Sequence, residues 1–243
     1  MSSDASAKGS AGQRTERTTE RAPERAPLVR RMLRAVLGVY MRLYHRLELH
    51  GAERLPSRGP AIVLVNHASL LDVPALMVLD PYPNTVFIAK ASLLTLPIAG
   101  WLLSQWGAIA VERQGRDSAS VRTLLTALRA GKVLAVAAEG RRTRTGRLGP
   151  INPVLARISA SVDVPLVPVG ISGSFEALPP GAAMPRPRKL VVRVGEPFRL
   201  ARGTAATDGA RRIRAEIAAL LPAAQQPLAD DDPALVDDDD SND

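Results

Sequence analysis

Short apolar-rich runs punctuate the chain at Ala61–Val65, Val86–Ala89, Ala108–Val111, Val133–Ala137, Pro165–Ile171 and Leu190–Val194. Each has strand length, and helical spacing fills many of the gaps between them. Ser118–Arg129 reads as a helix. So does Pro153–Ala160, where Asn152 is placed to cap the first turn and proline suits the first helical position. Ala210–Leu221 sets Ile213, Ile217 and Leu220 on one face. Strands alternating with helices predict an α/β fold, a mostly parallel central sheet flanked by helices.

The ends of the chain follow a different pattern. Residues 1–27 are polar, without the apolar core of a secretory leader, and read as a disordered arm. In 28–49, Leu33, Val36, Leu37, Tyr40, Tyr44 and Leu47 recur every three or four residues, which predicts an N-terminal amphipathic helical segment. Arg30, Arg31, Arg34, Arg42 and Arg46 interrupt it. Two readings follow: a helix packed on its own domain, or one lying on an anionic membrane with its arginines reaching the headgroups. The folded domain is expected over 28–221, with 222–243 a disordered acidic tail. Ala91–Val111 runs 21 residues without a charge, long enough to cross a bilayer. Pro97, Gly100, Gln105 and Gly107 break that pattern, and the segment reads as a helical hairpin followed by a strand.

Composition narrows the chemistry. The chain has 243 residues, enough for one sizeable domain with tails, and no cysteine, which excludes disulfides, thiolate nucleophiles and cysteine-bound metals. Its formal charge is +8, but Asp230–Asp243 holds eight aspartates and no base. Setting that block aside leaves +16 on residues 1–229, a body that attracts anionic lipid, nucleic acid or phosphorylated substrates. The three histidines form no metal-ligand cluster.

Two constellations carry the chemistry. Asn66-His67-Ala68-Ser69-Leu70-Leu71-Asp72 follows the first strand directly. A histidine at a strand's carboxyl end can take a proton near neutral pH, and a carboxylate on its second nitrogen fixes its tautomer. Asp72 is the candidate carboxylate. Five residues along a straight helix is about 140° of rotation, so His67 belongs in the loop and Asp72 in the first turn of the following helix. Ser69 reads as a cap or as a nucleophile. The second constellation is Ala138-Glu139-Gly140-Arg141-Arg142-Thr143-Arg144, again straight after a strand. Its arginines can grip phosphate oxygens in bidentate pairs, and its glycine lets backbone N–H groups approach an anion. Arg113, past the strand at 108–111, is a further phosphate candidate.

In this order and spacing the segments resemble the glycerolipid acyltransferases that acylate glycerol 3-phosphate or its lyso derivative, over roughly residues 35–200. Asn66-His67 with Asp72 matches the family's first block, whose His-x4-Asp pair is catalytic. Gly107–Arg113 matches the second, whose arginine contributes to the phosphate site. Glu139, Gly140 and Arg142 match the third, usually Phe-Pro-Glu-Gly-Thr-Arg; here Ala137-Ala138 replace Phe-Pro and Arg141 replaces the threonine. Val164–Val169 matches the fourth, where Pro168 shapes the site near the acyl donor. Lys90 and Pro97 also fall at family positions.

The resemblance implies a glycerol-3-phosphate acyltransferase-like fold. It implies transfer of a fatty acyl group from acyl-CoA or acyl-carrier protein to the free hydroxyl of 1-acyl-glycerol-3-phosphate, giving phosphatidic acid for phospholipid biosynthesis. His67 and Asp72 would be catalytic. Arg113, Glu139, Gly140 and Arg142 would bind the phosphate, with Asn66, Ser69, Arg141, Arg144 and Pro168 accessory. No cofactor or metal is implied, and no nucleic-acid partner. The expected setting is an anionic membrane surface, the enzyme peripheral or monotopic on its cytoplasmic face. Other readings stay open: another lyso-lipid or glycolipid acceptor, a serine hydrolase using Ser69, or a basic nucleic-acid- or membrane-binding module.

Overall fold

The computed structural model describes residues 28–79, 84–111 and 118–228. The expected arm at 1–27 and the aspartates of the expected tail lie outside them. In chain order the elements are α1 (Leu28–Tyr44), β1 (Glu48–His50), β2 (Ala61–Val65), α2 (Asp72–Leu79), β3 (Thr85–Lys90), α3 (Ala91–Leu94), α4 (Pro97–Gln105), β4 (Ile109–Val111) and α5 (Ser118–Arg129). Then follow β5 (Val133–Ala137), α6 (Pro153–Val162), β6 (Leu166–Ser172), α7 (Ser174–Ala177), β7 (Val191–Val194) and α8 (Ala206–Ala218). Single 3-10 turns cover Ala52–Arg54 and Ala223–Gln225.

The seven strands form one sheet in the order β1-β7-β6-β2-β5-β3-β4. β6, β2, β5, β3 and β4 are mutually parallel; β7 runs antiparallel to β6, and β1 is parallel to β7. This is the mostly parallel α/β sheet that the alternating pattern predicts. β2 lies at its centre, all five residues buried. Alternate side chains enter opposite layers, as the period of a strand requires. Val63, Val65, Phe87, Ala135 and Val169 pack with α1, α2 and the α3–α4 hairpin. Ile62, Leu64, Leu134 and Leu166 pack with α5, α6 and α8. A β-strand buried on both faces has no polar side, which is why the sequence shows unbroken apolar runs.

The predicted cap of α6 is present: Asn152 Oδ1 accepts from the Val154 N–H at 3.0 Å. The uncharged 91–111 stretch is the hairpin α3–α4 followed by β4. Among the described residues no helix is long and apolar enough to cross a membrane.

Two expectations change. The amphipathic helix does not reach residue 49; α1 stops at Tyr44. Arg46 turns into the left-handed region (φ 48°), and the Leu47 N–H bonds back to Met41 O at 3.0 Å. Leu47 still points inward, which mimics one more helical turn in the sequence, but Glu48–His50 pair with Val191–Arg193 as an edge strand. His45, fully buried, ties that corner. It bonds the Tyr40 hydroxyl at 3.2 Å and Arg188 O at 3.3 Å, a structural histidine and not a reactive one. At the other end, Pro222 does not begin a free tail. The 3-10 turn at Ala223–Gln225 buries Gln225 against the domain, and the Leu148 N–H donates to Gln225 O at 2.9 Å.

Candidate active site

The carboxyl end of β2 is fastened on both sides. Asn66, buried, uses its whole carboxamide on Ile171 of β6: Nδ2 donates to Ile171 O at 2.9 Å and Oδ1 accepts from the Ile171 N–H at 2.7 Å. On the other side the Ala138 N–H donates to Val65 O at 2.8 Å, extending the β2–β5 ladder by one step. His67 therefore leaves the sheet at a fixed point. Asn66 is the residue that fixes it.

His67 lies in the loop before α2, and Asp72 is the first residue of that helix, the arrangement the five-residue spacing demands. Nδ1 of His67 is 2.9 Å from Oδ2 of Asp72. That oxygen also accepts from the Ala68 and Ser69 N–H groups, each at 2.8 Å. Asp72 is 1% exposed. A carboxylate stripped of water at this depth needs donors, and the turn supplies three to one oxygen. The carboxylate holds the Nδ1–H tautomer, so Nε2 is the ring's acceptor. The imidazole keeps 19% of its surface open. Ser69 is committed elsewhere. Its hydroxyl donates to Leu178 O at 2.9 Å and accepts from the Leu71 N–H at 3.2 Å, which makes it the cap and not a partner of His67.

Glu139 is held by two backbone N–H groups. Its Oε1 accepts from the His67 N–H at 3.0 Å and its Oε2 from the Gly149 N–H at 3.2 Å. Desolvation raises its pKa to about 7, against the pull of those two backbone bonds. A carboxyl so engaged positions the His67 backbone, both its oxygens taken by backbone N–H groups. The residues around 139 contain no hint of this, because the partner lies 72 residues away.

Gly140 follows in the left-handed region (φ 79°) and turns the chain out of the sheet. Three residues on, the Thr143 N–H donates to His67 O at 2.9 Å. Both backbone polar groups of His67 are thus bound to the 139–143 segment. Standard bond lengths then put the Cα atoms of His67 and Arg142 within about 8 Å. Arg141, Arg142 and Arg144 are exposed on this loop. Its far end is held by the Leu148 N–H on Gln225 O and by Arg147 Nη1 on Gln226 O at 3.1 Å. Nothing in the local sequence marks these C-terminal contacts.

The remaining assignments divide. Arg113 lies outside the described residues. Pro168 is away from the histidine, in the buried interior of β6, level with Leu64 and against Gly195. Beside Gly140, a small pocket is lined by Ile88, Lys90, Val136, Leu155 and Ile158.

The Acyltransferase family model matches residues 46–172, just over half of the chain and all of the strand-end site described above. The 1-acyl-sn-glycerol-3-phosphate acyltransferase BAT2 of Brassica napus is 29% identical over 141 residues, 57% of this chain and 40% of that protein. Human 1-acyl-sn-glycerol-3-phosphate acyltransferase beta is 30% identical over 137 residues, 54% of this chain and 48% of its own. A lyso-ornithine lipid O-acyltransferase of Pseudomonas aeruginosa is 30% identical over 127 residues, 52% of this chain and 48% of that relative. The chain thus spans less than half the length of these curated relatives. The crystal structure of the 1-acyl-sn-glycerophosphate acyltransferase PlsC from Thermotoga maritima has the same fold: TM-score 0.66 at 21% identity, over 78% of this chain and 77% of that one. By the match across its central sheet, the chain belongs to the Acyltransferase family.

Proposed function

We propose that the protein transfers a fatty acyl group from a thioester, acyl-CoA or acyl-carrier protein, to the free hydroxyl of 1-acyl-glycerol-3-phosphate. One observation carries this reading: the imidazole of His67, oriented by Asp72, stands beside an arginine-bearing loop bonded to its own backbone. In this scheme Arg142, with Arg141 and Arg144, holds the acceptor phosphate. The acceptor hydroxyl gives its proton to Nε2 as its oxygen attacks the thioester carbonyl. Asp72 stabilises the imidazolium. The tetrahedral adduct collapses, the C–S bond breaks, and the leaving thiolate takes the proton back from His67. No covalent enzyme intermediate is required, in keeping with the committed hydroxyl of Ser69.

The surroundings suit a substrate dissolved in lipid. Val36, Val39 and Leu43 form part of an exposed apolar stripe along α1, with Arg31 and Arg42 exposed beside it. Ile98 (83% exposed) and Trp101 (52%) are exposed on α4, and just past its end Arg30 of α1 lies 5.2 Å over the Trp106 ring. Exposed apolar side chains edged with cations favour an anionic bilayer, here its cytoplasmic face.

The test is incubation of the purified protein with labelled palmitoyl-CoA or palmitoyl-carrier protein and a panel of acceptors: 1-acyl-glycerol-3-phosphate, lyso-ornithine lipid, a lyso-phospholipid and a glycolipid. Phosphatidic acid as the dominant product supports the reading. Acylation of a phosphate-free acceptor in preference would refute the role given to the arginines.

A further inference from the structure

The arginine-bearing loop is anchored at its root, by Gly140 and Thr143, and at its exit, by Leu148 and Gly149. Between them Arg141, Arg142, Arg144 and Thr145 face solvent. Within the loop the Thr143 hydroxyl accepts from the Thr145 N–H at 3.2 Å, and the Thr145 hydroxyl from the Arg147 N–H at 3.3 Å. One ring adds a contact from outside the loop. Gly146 is in the left-handed region (φ 78°), and a β-carbon there would stand 2.8 Å from Cδ1 and 3.0 Å from Cγ of Phe175. The phenyl ring fills the space that a side chain at 146 would take.

Phe175 has a rigid mount. It lies on α7, and both flanks of that short helix are tied to the His67 loop. Before it, Ile171 is paired with Asn66; after it, Leu178 O accepts the Ser69 hydroxyl. A ring carried on this bracket and laid on Gly146 transmits the position of the histidine to the arginines. Residue 175 also lies beyond the segment that the family model matches.

We propose that Phe175 is a positioning residue for the acceptor: through its contact with Gly146 it holds the arginine loop in register with His67 and so sets acceptor affinity. The inference rests on the reading that this loop binds the acceptor phosphate. A loop already ordered loses less freedom on binding. Removing the ring leaves the histidine and its carboxylate in place while loosening the cations.

The experiment compares the purified wild type with Phe175→Ala, Phe175→Leu, Gly146→Ala and Arg142→Ala. Acceptor KM, donor KM and kcat are measured with 1-acyl-glycerol-3-phosphate and palmitoyl-CoA, and inorganic phosphate serves as a competitive probe. Circular dichroism reports the folded fraction. Phe175→Ala and Gly146→Ala are expected to raise acceptor KM about tenfold, with donor KM and kcat within about threefold. Inhibition by phosphate weakens in the same ratio, and Phe175→Leu, which still covers the glycine, recovers most of the loss. An unchanged acceptor KM in folded Phe175→Ala, with a raised one in Arg142→Ala, overturns the positioning role and leaves the arginine reading standing. No effect of Arg142→Ala removes that premise and the proposal with it. A parallel loss in kcat and both KM values that tracks the folded fraction would make Phe175 a packing residue only, and would equally overturn it. Should Phe175→Ala not fold, Gly146→Ala and the phosphate probe still decide.

Discussion

The backbone N–H of His67 donates to Oε1 of Glu139 at 3.0 Å across two separate strand ends. This bond, with its partner from Thr143 to His67 O, ties the backbone of His67 to the arginine-bearing loop on both sides. Its acceptor is a carboxylate held near neutrality. Desolvation lifts the pKa of Glu139 from 4.5 to about 7. The folded protein therefore keeps a proton between those values that the unfolded chain has released, and stability falls as pH rises through that window. The group's share is on the order of 3 kcal/mol. Glu139→Gln cannot titrate. Urea unfolding at pH 5 and pH 8 is expected to show the variant gaining stability relative to wild type at the higher pH. Parallel pH profiles for the two proteins would contradict a buried, titrating Glu139.

Ser69 separates direct transfer from a covalent route. Its hydroxyl caps the turn and bonds Leu178, so Ser69→Ala should cost about 1 kcal/mol of stability and keep turnover within about threefold. Thermal melts and steady-state kinetics check both. A loss of several orders of magnitude, or an acyl group trapped on Ser69, would show that the serine is the nucleophile.

The apolar stripe on α1 gives a membrane prediction. Val36 and Leu43 are 68% and 78% exposed, so replacing both with aspartate removes apolar surface and adds repulsion without opening the core. Co-sedimentation with vesicles containing phosphatidylglycerol should fall more than about tenfold, at an unchanged melting temperature. Equal sedimentation would place the membrane contact elsewhere.

What the chain revealed in advance tracks how local each constraint is. Ala61–Val65 and Val133–Ala137 were readable to the residue, because strands buried on both faces need unbroken apolar runs. The His67–Asp72 pair was readable because five residues force a loop followed by a helix start. β1 was not readable: three residues on an edge leave too short a pattern, and Leu47 imitates a further helical turn. Glu139 was placed with the phosphate ligands because it matches the family's third block, whereas one of its oxygens accepts from a backbone N–H 72 residues earlier. The clasp of Gln225 and Gln226 on the loop, like the ring of Phe175 on Gly146, joins segments that share no pattern in the sequence.

Turnover by His67→Ala tests the central claim most directly, since general-base catalysis is worth roughly 10²–10⁴ in rate. Acyl transfer to 1-acyl-glycerol-3-phosphate should drop at least about a thousandfold in protein whose circular dichroism and melting temperature match wild type. Folded His67→Ala turning over near the wild-type rate would contradict the account.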